Sequence, residues 1–424
     1  MNNLKYSNTI LVNLIISSII PFLIWGPFFP DLIVSVSALF FLYYVFKNKD
    51  FYYFFKTPLI LFFIFCIYCI LLSIFVAEDI FLSFESSLFY FRIGVFSCFI
   101  WYVIDKNKSI FNYFYYALIS CFSVLVIDGY IQFFTGENIF GYKLAITAQI
   151  SSLFVDEFIM GSYLSRLFPL LFALFLVKKK MKYEIYFLSF LFILVDVLIY
   201  MSGERAAFFF VNLSTIFIII LIKEYQKFRL FTFIVAIICI TVLSINSSKY
   251  SDRMFKNPAQ MMGFTESSID FSESREHTIF TPTHDSLIRT AYNMFKGQPI
   301  VGHGPKMFRI KCKNKEYAIG ISPCMTHPHN FYVQLLAETG ITGFLFLFSA
   351  LGYVFYVSLR QLKSIIFKQK RPLTDYQVCL LAGILISVWP LSPNGNFFNN
   401  WLMIVYSLPI GFYLQSIYSK KNRK

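Results

Sequence analysis

Apolar runs long enough to cross a lipid bilayer recur from end to end of this chain, and nothing else in it limits the possible folds so tightly. A hydrocarbon core about 30 Å thick requires a helix of about 20 residues, with about 17 to 25 as the working range. Runs of that length lie near 9–27, 30–46, 57–76, 86–104, 112–134, 160–177, 185–201, 206–222, 230–246, 331–358, 376–392 and 398–418. Only helices or closed barrels satisfy every backbone group in lipid, and barrel strands alternate polar with apolar residues instead of running continuously, so these segments are predicted as helices. Composition agrees: 57% of the 424 residues are hydrophobic and 14% are charged, with 55 Phe and 28 Tyr. A soluble domain has too little polar surface in such a chain to cover itself. The expected fold class is therefore an all-α polytopic membrane protein with about twelve transmembrane helices. Its first apolar run, from about Thr9, follows a single Lys5 and leads directly into further spans, which fits a retained helix better than a cleaved signal.

The formal charge of +14 raises the possibility of nucleic acid, but the basic residues sit in short clusters between apolar runs, not in one domain. Membrane topology accounts for them. With a cytoplasmic N-terminus, the inner connections carry Lys47, Lys49 and Lys56, then Lys106 and Lys108, then Lys178, Lys179, Lys180 and Lys182. The same side collects Lys223, Lys227 and Arg229, then Arg360, Lys363, Lys368, Lys370 and Arg371, and last the tail from Lys420 to Lys424. Short outer connections are acidic or neutral: Asp31, the stretch around Glu78, Asp79 and Glu85, and the turn from Pro393 to Asn400. This is the positive-inside pattern, with both termini cytoplasmic. Three units follow: helices 1–9 over 1–245, a large extracytoplasmic loop over 246–330, and helices 10–12 with a basic tail over 331–424.

The large loop is polar and unlike its surroundings; a second outer connection, from about Gly136 to Glu157, is shorter and offers little chemistry. Within the large loop Leu287, Ile288, Ala291, Tyr292 and Phe295 recur at helical spacing, between Thr283 and Asp285 as caps and Gly297 and Pro299 as a stop, predicting an amphipathic helix over the membrane surface. Gly302, His303, Gly304 and Pro305 form a turn, and Lys306, Arg309, Lys311, Lys313 and Lys315 follow as a basic run that either meets anionic groups or is simply solvated. Six of the eight cysteines fall in predicted spans, as small apolar fillers. Cys312 and Cys324 lie in the loop, where an oxidising compartment permits a disulfide; pairing and two free thiols both remain open.

All five histidines, His277, His284, His303, His327 and His329, lie in this loop. A metal is disfavoured, since His327 and His329 are a poor pair of ligands on one helix and neither an HExxH arrangement nor a Cys/His finger spacing is present. A neutral imidazole acting as general base suits a hydroxyl nucleophile, with His329 the first choice and His327 the second. Asn330 either orients a ring or caps the helix that begins at Phe331. Gln334 and Glu338 share one face of that helix with Asn330, and either bond a neighbouring helix or line a cavity beneath His329. Arg205, in the string Ser202, Gly203, Glu204, Arg205 between two apolar spans, either snorkels to water or points into a cavity shared with the loop. Arg289, on the amphipathic helix, either anchors to headgroups or clamps phosphate; two arginines on one side of a membrane suit a diphosphate.

Pro299, Ile300, Val301, Gly302, His303, Gly304, followed by His327, Pro328, His329, Asn330, Gln334, Leu335, Glu338, Gly340, Ile341 and Gly343, resembles the signature of the O-antigen ligase and O-antigen polymerase superfamily. The resemblance covers the architecture of nearly the whole chain and, at residue level, about 200–210 and 285–345; the family pattern often has an apolar residue where this chain has His303. It implies an enzyme of the bacterial inner membrane with its active site facing the periplasm. Such enzymes transfer a glycan from undecaprenyl diphosphate to an acceptor hydroxyl with neither metal nor nucleotide sugar. The implied roles are His329 as base, Arg205 and Arg289 at the diphosphate, and substrate contacts from His327, Asn330, Gln334, Glu338, Gly302 and Gly304. Lipid A core is the expected acceptor of a ligase, and a second lipid-linked glycan that of a polymerase; no cofactor and no nucleic acid partner is expected, and membrane lipids surround the chain. A transporter or flippase would place its charged residues mid-membrane, whereas the notable ones here gather on one face.

Overall fold

The structure, a computed structural model, describes residues 2–145, 149–178, 181, 183–264 and 278–419. His277, Lys179, Lys180, Lys182 and the tail from Lys420 to Lys424 lie outside the described residues. The architecture is helical, with one isolated β-bridge between Glu137 and Lys143 among the described residues. In chain order the helices are α1 (Asn2–Ser17), α2 (Ile19–Trp25), α3 (Phe28–Asn48), α4 (Thr57–Phe75), α5 (Ile80–Ser87), α6 (Phe91–Lys106), α7 (Ile110–Thr135), α8 (Met160–Val177), α9 (Glu184–Met201), α10 (Arg205–Leu221) and α11 (Gln226–Asn246). Short turns α12 (Ser248–Ser251) and α13 (Asn257–Met261) open the large loop, which continues through α14 (Pro282–Gly297) and α15 (Phe308–Lys311) into α16 (Phe331–Ile366), α17 (Asp375–Ser387) and α18 (Asn400–Tyr418).

Nine helical stretches among the described residues are long and apolar enough to cross a membrane, and Thr9–Trp25, Arg205–Leu221 and Asp375–Ser387 are shorter apolar helices. Each predicted span falls on one of these twelve, so the protein is polytopic and all-α. Three boundaries differ for local reasons. The run predicted to reach residue 392 stops at Ser387, ahead of Pro390 and Pro393, which cannot continue a helix. The run predicted from residue 86 begins earlier, as α5, which Asp79 caps by accepting from the Leu82 N–H at 2.9 Å. The third is α16, which is interrupted at Gly340 (φ +65°, ψ −164°).

Helices α8, α17 and α18 occupy the centre, and α11 lies at the periphery. Lipid tails are as apolar as the side chains, so close packing and polar stitching hold such helices together. One stitch corrects a sequence expectation: Arg229 is not a loop charge but fully buried in α11. Its guanidinium donates to Asp196 of α9 at 3.1 Å and to Thr215 of α10 at 2.6 Å, with the Phe168 ring 4.5 Å away.

The predicted amphipathic helix forms as α14, but Thr283 and Asp285 fall inside it; Thr281 precedes Pro282, whose fixed φ suits the first turn. Leu287, Ala291 and Met294 form its buried face and pack with Phe308, Cys312, Tyr317 and Ala337. Tyr292, predicted on that face, is exposed. Cys312 and Cys324 are joined as a disulfide within this small core. The helix therefore turns its apolar stripe inward, onto the first turns of α16.

Candidate active site

The turn carrying Gly302 and Gly304 is built into the break in α16. The His303 N–H donates to the Ala337 carbonyl at 3.0 Å, the Gly304 N–H to that of Glu338 at 2.8 Å, and the Ile341 N–H returns to that of Pro299 at 2.9 Å. Carbonyls freed by the break thus find loop donors. Both glycines at the crossing have positive φ, and each is pressed against the other's strand: a Cβ on Gly302 would lie 2.5 Å from the Thr339 nitrogen, and one on Gly340 2.2 Å from the Ile300 oxygen. Gly302 and Gly304 thus dock the loop on α16, and His303 is a packing residue, its Nε2 donating to the Met294 carbonyl at 3.0 Å.

That docking brings three imidazoles into a row. His329 stands in the middle, its ring centroid 4.1 Å from that of His327 and 5.4 Å from that of His284, a residue to which the sequence assigned no role. His329 holds a left-handed backbone (φ +55°), sparsely populated for a non-glycine residue and frequent where geometry is over-determined. Its carbonyl accepts the Asn394 N–H at 2.7 Å. Asn330 is the helix cap: its Oδ1 accepts from the Tyr332 and Val333 N–H groups, and its Nδ2 donates to the Pro390 carbonyl at 2.7 Å. The side chain is committed to the fold and orients His329 through the backbone. Among the described residues, no group of three or more His, Cys, Asp or Glu side chains is arranged to hold a metal ion.

Burial disfavours the imidazolium throughout the row. It lowers His329 below the ordinary 6.5, with the Asn394 backbone pulling the other way. His284 falls to about 4 through burial, then the His329 and Arg205 charges; His327 falls to about 3 through burial, then His329 and Arg309. Cationic side chains therefore act on both ends of the row, Arg205 at His284 and Arg309 at His327. All three rings are neutral at pH 7, the state a general base needs.

Arg205 opens α10 and is exposed, and its charge also acts on Arg253, which donates to the Gly203 carbonyl at 3.3 Å. The neighbouring Glu204 accepts from the Gly161 and Ser162 N–H groups at 2.5 and 2.9 Å, holding the first turn of α8, and burial raises its carboxyl to about 7. Arg289 is half-exposed and ion-paired with Asp285 at 3.0 Å. Gln334 and Glu338 are fully buried and bond each other at 3.0 Å. Glu338 also accepts the Phe308 N–H at 3.1 Å, and Gln334 donates to Asn396 and accepts the Phe397 N–H. They fasten the basic turn and the α17–α18 connection to α16.

With that geometry in place, the O-antigen ligase family model matches residues 187–348. The match supports the O-antigen ligase/polymerase superfamily. No curated protein matches the chain. The matched segment runs from α9 to the middle of α16 and takes in Arg205, Arg289, the histidine row and the crossed glycines.

Two residues outside the matched segment escaped sequence reasoning. Arg166 of α8 is buried, donating to Tyr406 at 3.0 Å and to Oδ1 of Asn394 at 3.1 Å. Asn394 in turn holds His329. An arginine inside a predicted span was the available signal for the first, since an ionisable residue there is functional by default; nothing local marks Asn394. The basic run is partly paired, Lys306 with Glu85 at 3.7 Å and Lys311 with Glu78.

Proposed function

We propose that this protein is an O-antigen ligase of the bacterial inner membrane, transferring a glycan from undecaprenyl diphosphate to a hydroxyl of lipid A core at the periplasmic face. The observation that carries this is the half-buried, backbone-locked His329 flanked by His284 and His327, within the segment matched to the O-antigen ligase family. His329 takes the proton of the acceptor hydroxyl as its oxygen forms a bond to the anomeric carbon. The bond from that carbon to the diphosphate oxygen breaks, and the departing diphosphate keeps the electron pair. Arg205 holds the developing charge, joined by Arg289 once phosphate replaces Asp285 as its partner. Attack opposite the leaving group inverts the anomeric centre. No step requires a metal.

Loss of a general base costs about 10²- to 10⁴-fold in rate. Purified His329→Ala, assayed for transfer from a lipid-linked donor, is expected to fall by that range; transfer at the wild-type rate would end the assignment. A strain lacking the gene separates ligase from polymerase, which uses the same donor: full-length polymer stranded on undecaprenyl diphosphate identifies the ligase, and core bearing single repeat units identifies the polymerase.

A further inference from the structure

A cavity of about 1210 Å³ opens at the end of the bundle that carries the histidine row, and no histidine lines it. Its walls come from the α2–α3 turn, the start of α6, the connection before α8, the Lys306–Arg309 turn and the α17–α18 connection. Arg166, Lys306 and Arg309 line it together with Trp25, Asn396 and Trp401. Of its four carboxylates, Asp31 is matched by Arg92 at 2.5 Å and Glu85 by Lys306, while Asp156 and Glu157 are exposed to solvent. Arg166 and Arg309 enter no ion pair among the described residues. Arg166 is 5% exposed, and its hydrogen bonds go to the neutral Tyr406, Asn394 and Ser162. The buried Nε of Arg309 has no hydrogen-bond partner. One buried arginine and one with a buried, unpartnered Nε, neither in ion-pair contact with a carboxylate among the described residues, favour an incoming anion. Trp25 and Trp401 supply apolar faces beside them.

The cavity communicates with the histidine row at two points. Arg309 acts on His327, and Arg166 holds the Asn394 side chain while the Asn394 N–H holds the His329 carbonyl. Arg205 acts on the opposite end of the row, at His284. We propose that the cavity is a second anion site, separate from the Arg205 site, that takes a phosphate group carried by a lipid-anchored glycan. Its occupancy is conveyed to His329 through Arg166 and Asn394. The two substrates of the transfer then approach His329 from opposite ends of the imidazole row. This rests on the glycan-transfer reading above. Arg166 and Asn394 act as positioning residues, and both lie outside the segment matched to the O-antigen ligase family.

The test is steady-state kinetics of the purified full chain in liposomes, with donor lipid and acceptor lipid varied in turn. Arg205→Lys keeps a charge and measurable turnover while losing the planar fork; it raises the KM of the donor. Arg309→Ala and Lys306→Ala raise the KM of the other, by about tenfold or more for a lost charge-assisted hydrogen bond. Arg309→Lys recovers most of that loss. Arg166→Lys cannot reach Asn394 and Tyr406 at once, so it lowers kcat in addition to raising the KM that Arg309→Ala raises. The proposal is overturned if Arg205→Lys and Arg309→Ala raise the KM of the same substrate, or if Arg309→Ala and Lys306→Ala leave both unchanged. Absence of transfer by the wild-type protein would instead remove the glycan-transfer reading itself.

Discussion

Replacing Gly302 by alanine puts the docking of the Gly302–Gly304 turn on α16 under direct load. At φ +67° an L-residue costs about 1–2 kcal/mol relative to glycine. The added methyl would also lie 2.5 Å from both the Glu338 carbonyl carbon and the Thr339 nitrogen, which are backbone atoms and cannot swing aside. Overpacking of this kind costs about 1–3 kcal/mol. The sum, about 2–5 kcal/mol, shifts the docked-to-undocked equilibrium by roughly thirty-fold to several thousand-fold at about 1.4 kcal/mol per tenfold. Undocking breaks the His303–Ala337 and Gly304–Glu338 hydrogen bonds and frees the basic turn from Lys306 to Lys315. Trypsin cleavage in that turn, under conditions where reclosing is fast, reports the open population. The control is Gly352→Ala: Gly352 lies within α16, and a Cβ there meets nothing within 4 Å, so alanine is neutral or stabilising by about 0.5–1 kcal/mol. Gly302→Ala is expected to be cleaved far faster than wild type and to lose transfer activity, with Gly352→Ala unchanged. Equal cleavage of Gly302→Ala and wild type would refute the reasoning.

Two other perturbations follow from the buried charges. Because His284, His327 and His329 are all lowered from 6.5, the base form persists below that pH, and the acid limb of the kcat/KM profile is expected below the ordinary histidine range; a limb centred at or above 6.5 would contradict it. The unfolded chain takes up protons near 6.5 and the folded one only at lower pH, so stability is full above about 6.5 and declines as pH falls towards the folded values, a trend that acid titration of the melting temperature checks. Arg229→Met leaves Asp196 buried without its cation and is expected to cost about 3–5 kcal/mol, whereas the double variant Arg229→Met with Asp196→Leu recovers most of that loss. Melting of the three proteins side by side decides it, and a double variant no more stable than the single one would show that the ion pair is not the cause.

The spans were legible because their signal is local: a helix in lipid must be apolar for its whole length, and that survives in any window of the sequence. What the sequence hid depends on pairs far apart in the chain. The break at Gly340 lies inside a continuous apolar run and becomes visible only with Gly302, whose backbone occupies the space a side chain would need. Arg229 stood close enough to Lys223 and Lys227 to pass for a loop charge; its partner Asp196 lies 33 residues earlier, on another helix. Arg166 and Asn394 are 228 residues apart. His284 lies on a helix whose periodicity announces packing, and only docking on α16 turns it towards His329. Cys312 and Cys324 were identified as candidates by topology, and the small core around α14 brings them together.

The row of imidazoles also separates two histidines that sequence alone could only rank. A proton entering the row meets three rings at short range, and two adjacent imidazoliums repel, so one ring takes it. His327 carries the added burden of Arg309 and His284 that of Arg205, while His329 is lowered by burial alone; the Asn394 backbone favours the protonated form of both His327 and His329. An anion bound at Arg205 or Arg309 weakens the positive field at the ends of the row, which makes the row as a whole more basic once the phosphate groups are in place. On the proposed mechanism, the cations assigned to the substrates also disfavour protonation of the outer rings, and the base assigned to His329 gains strength when those substrates are bound.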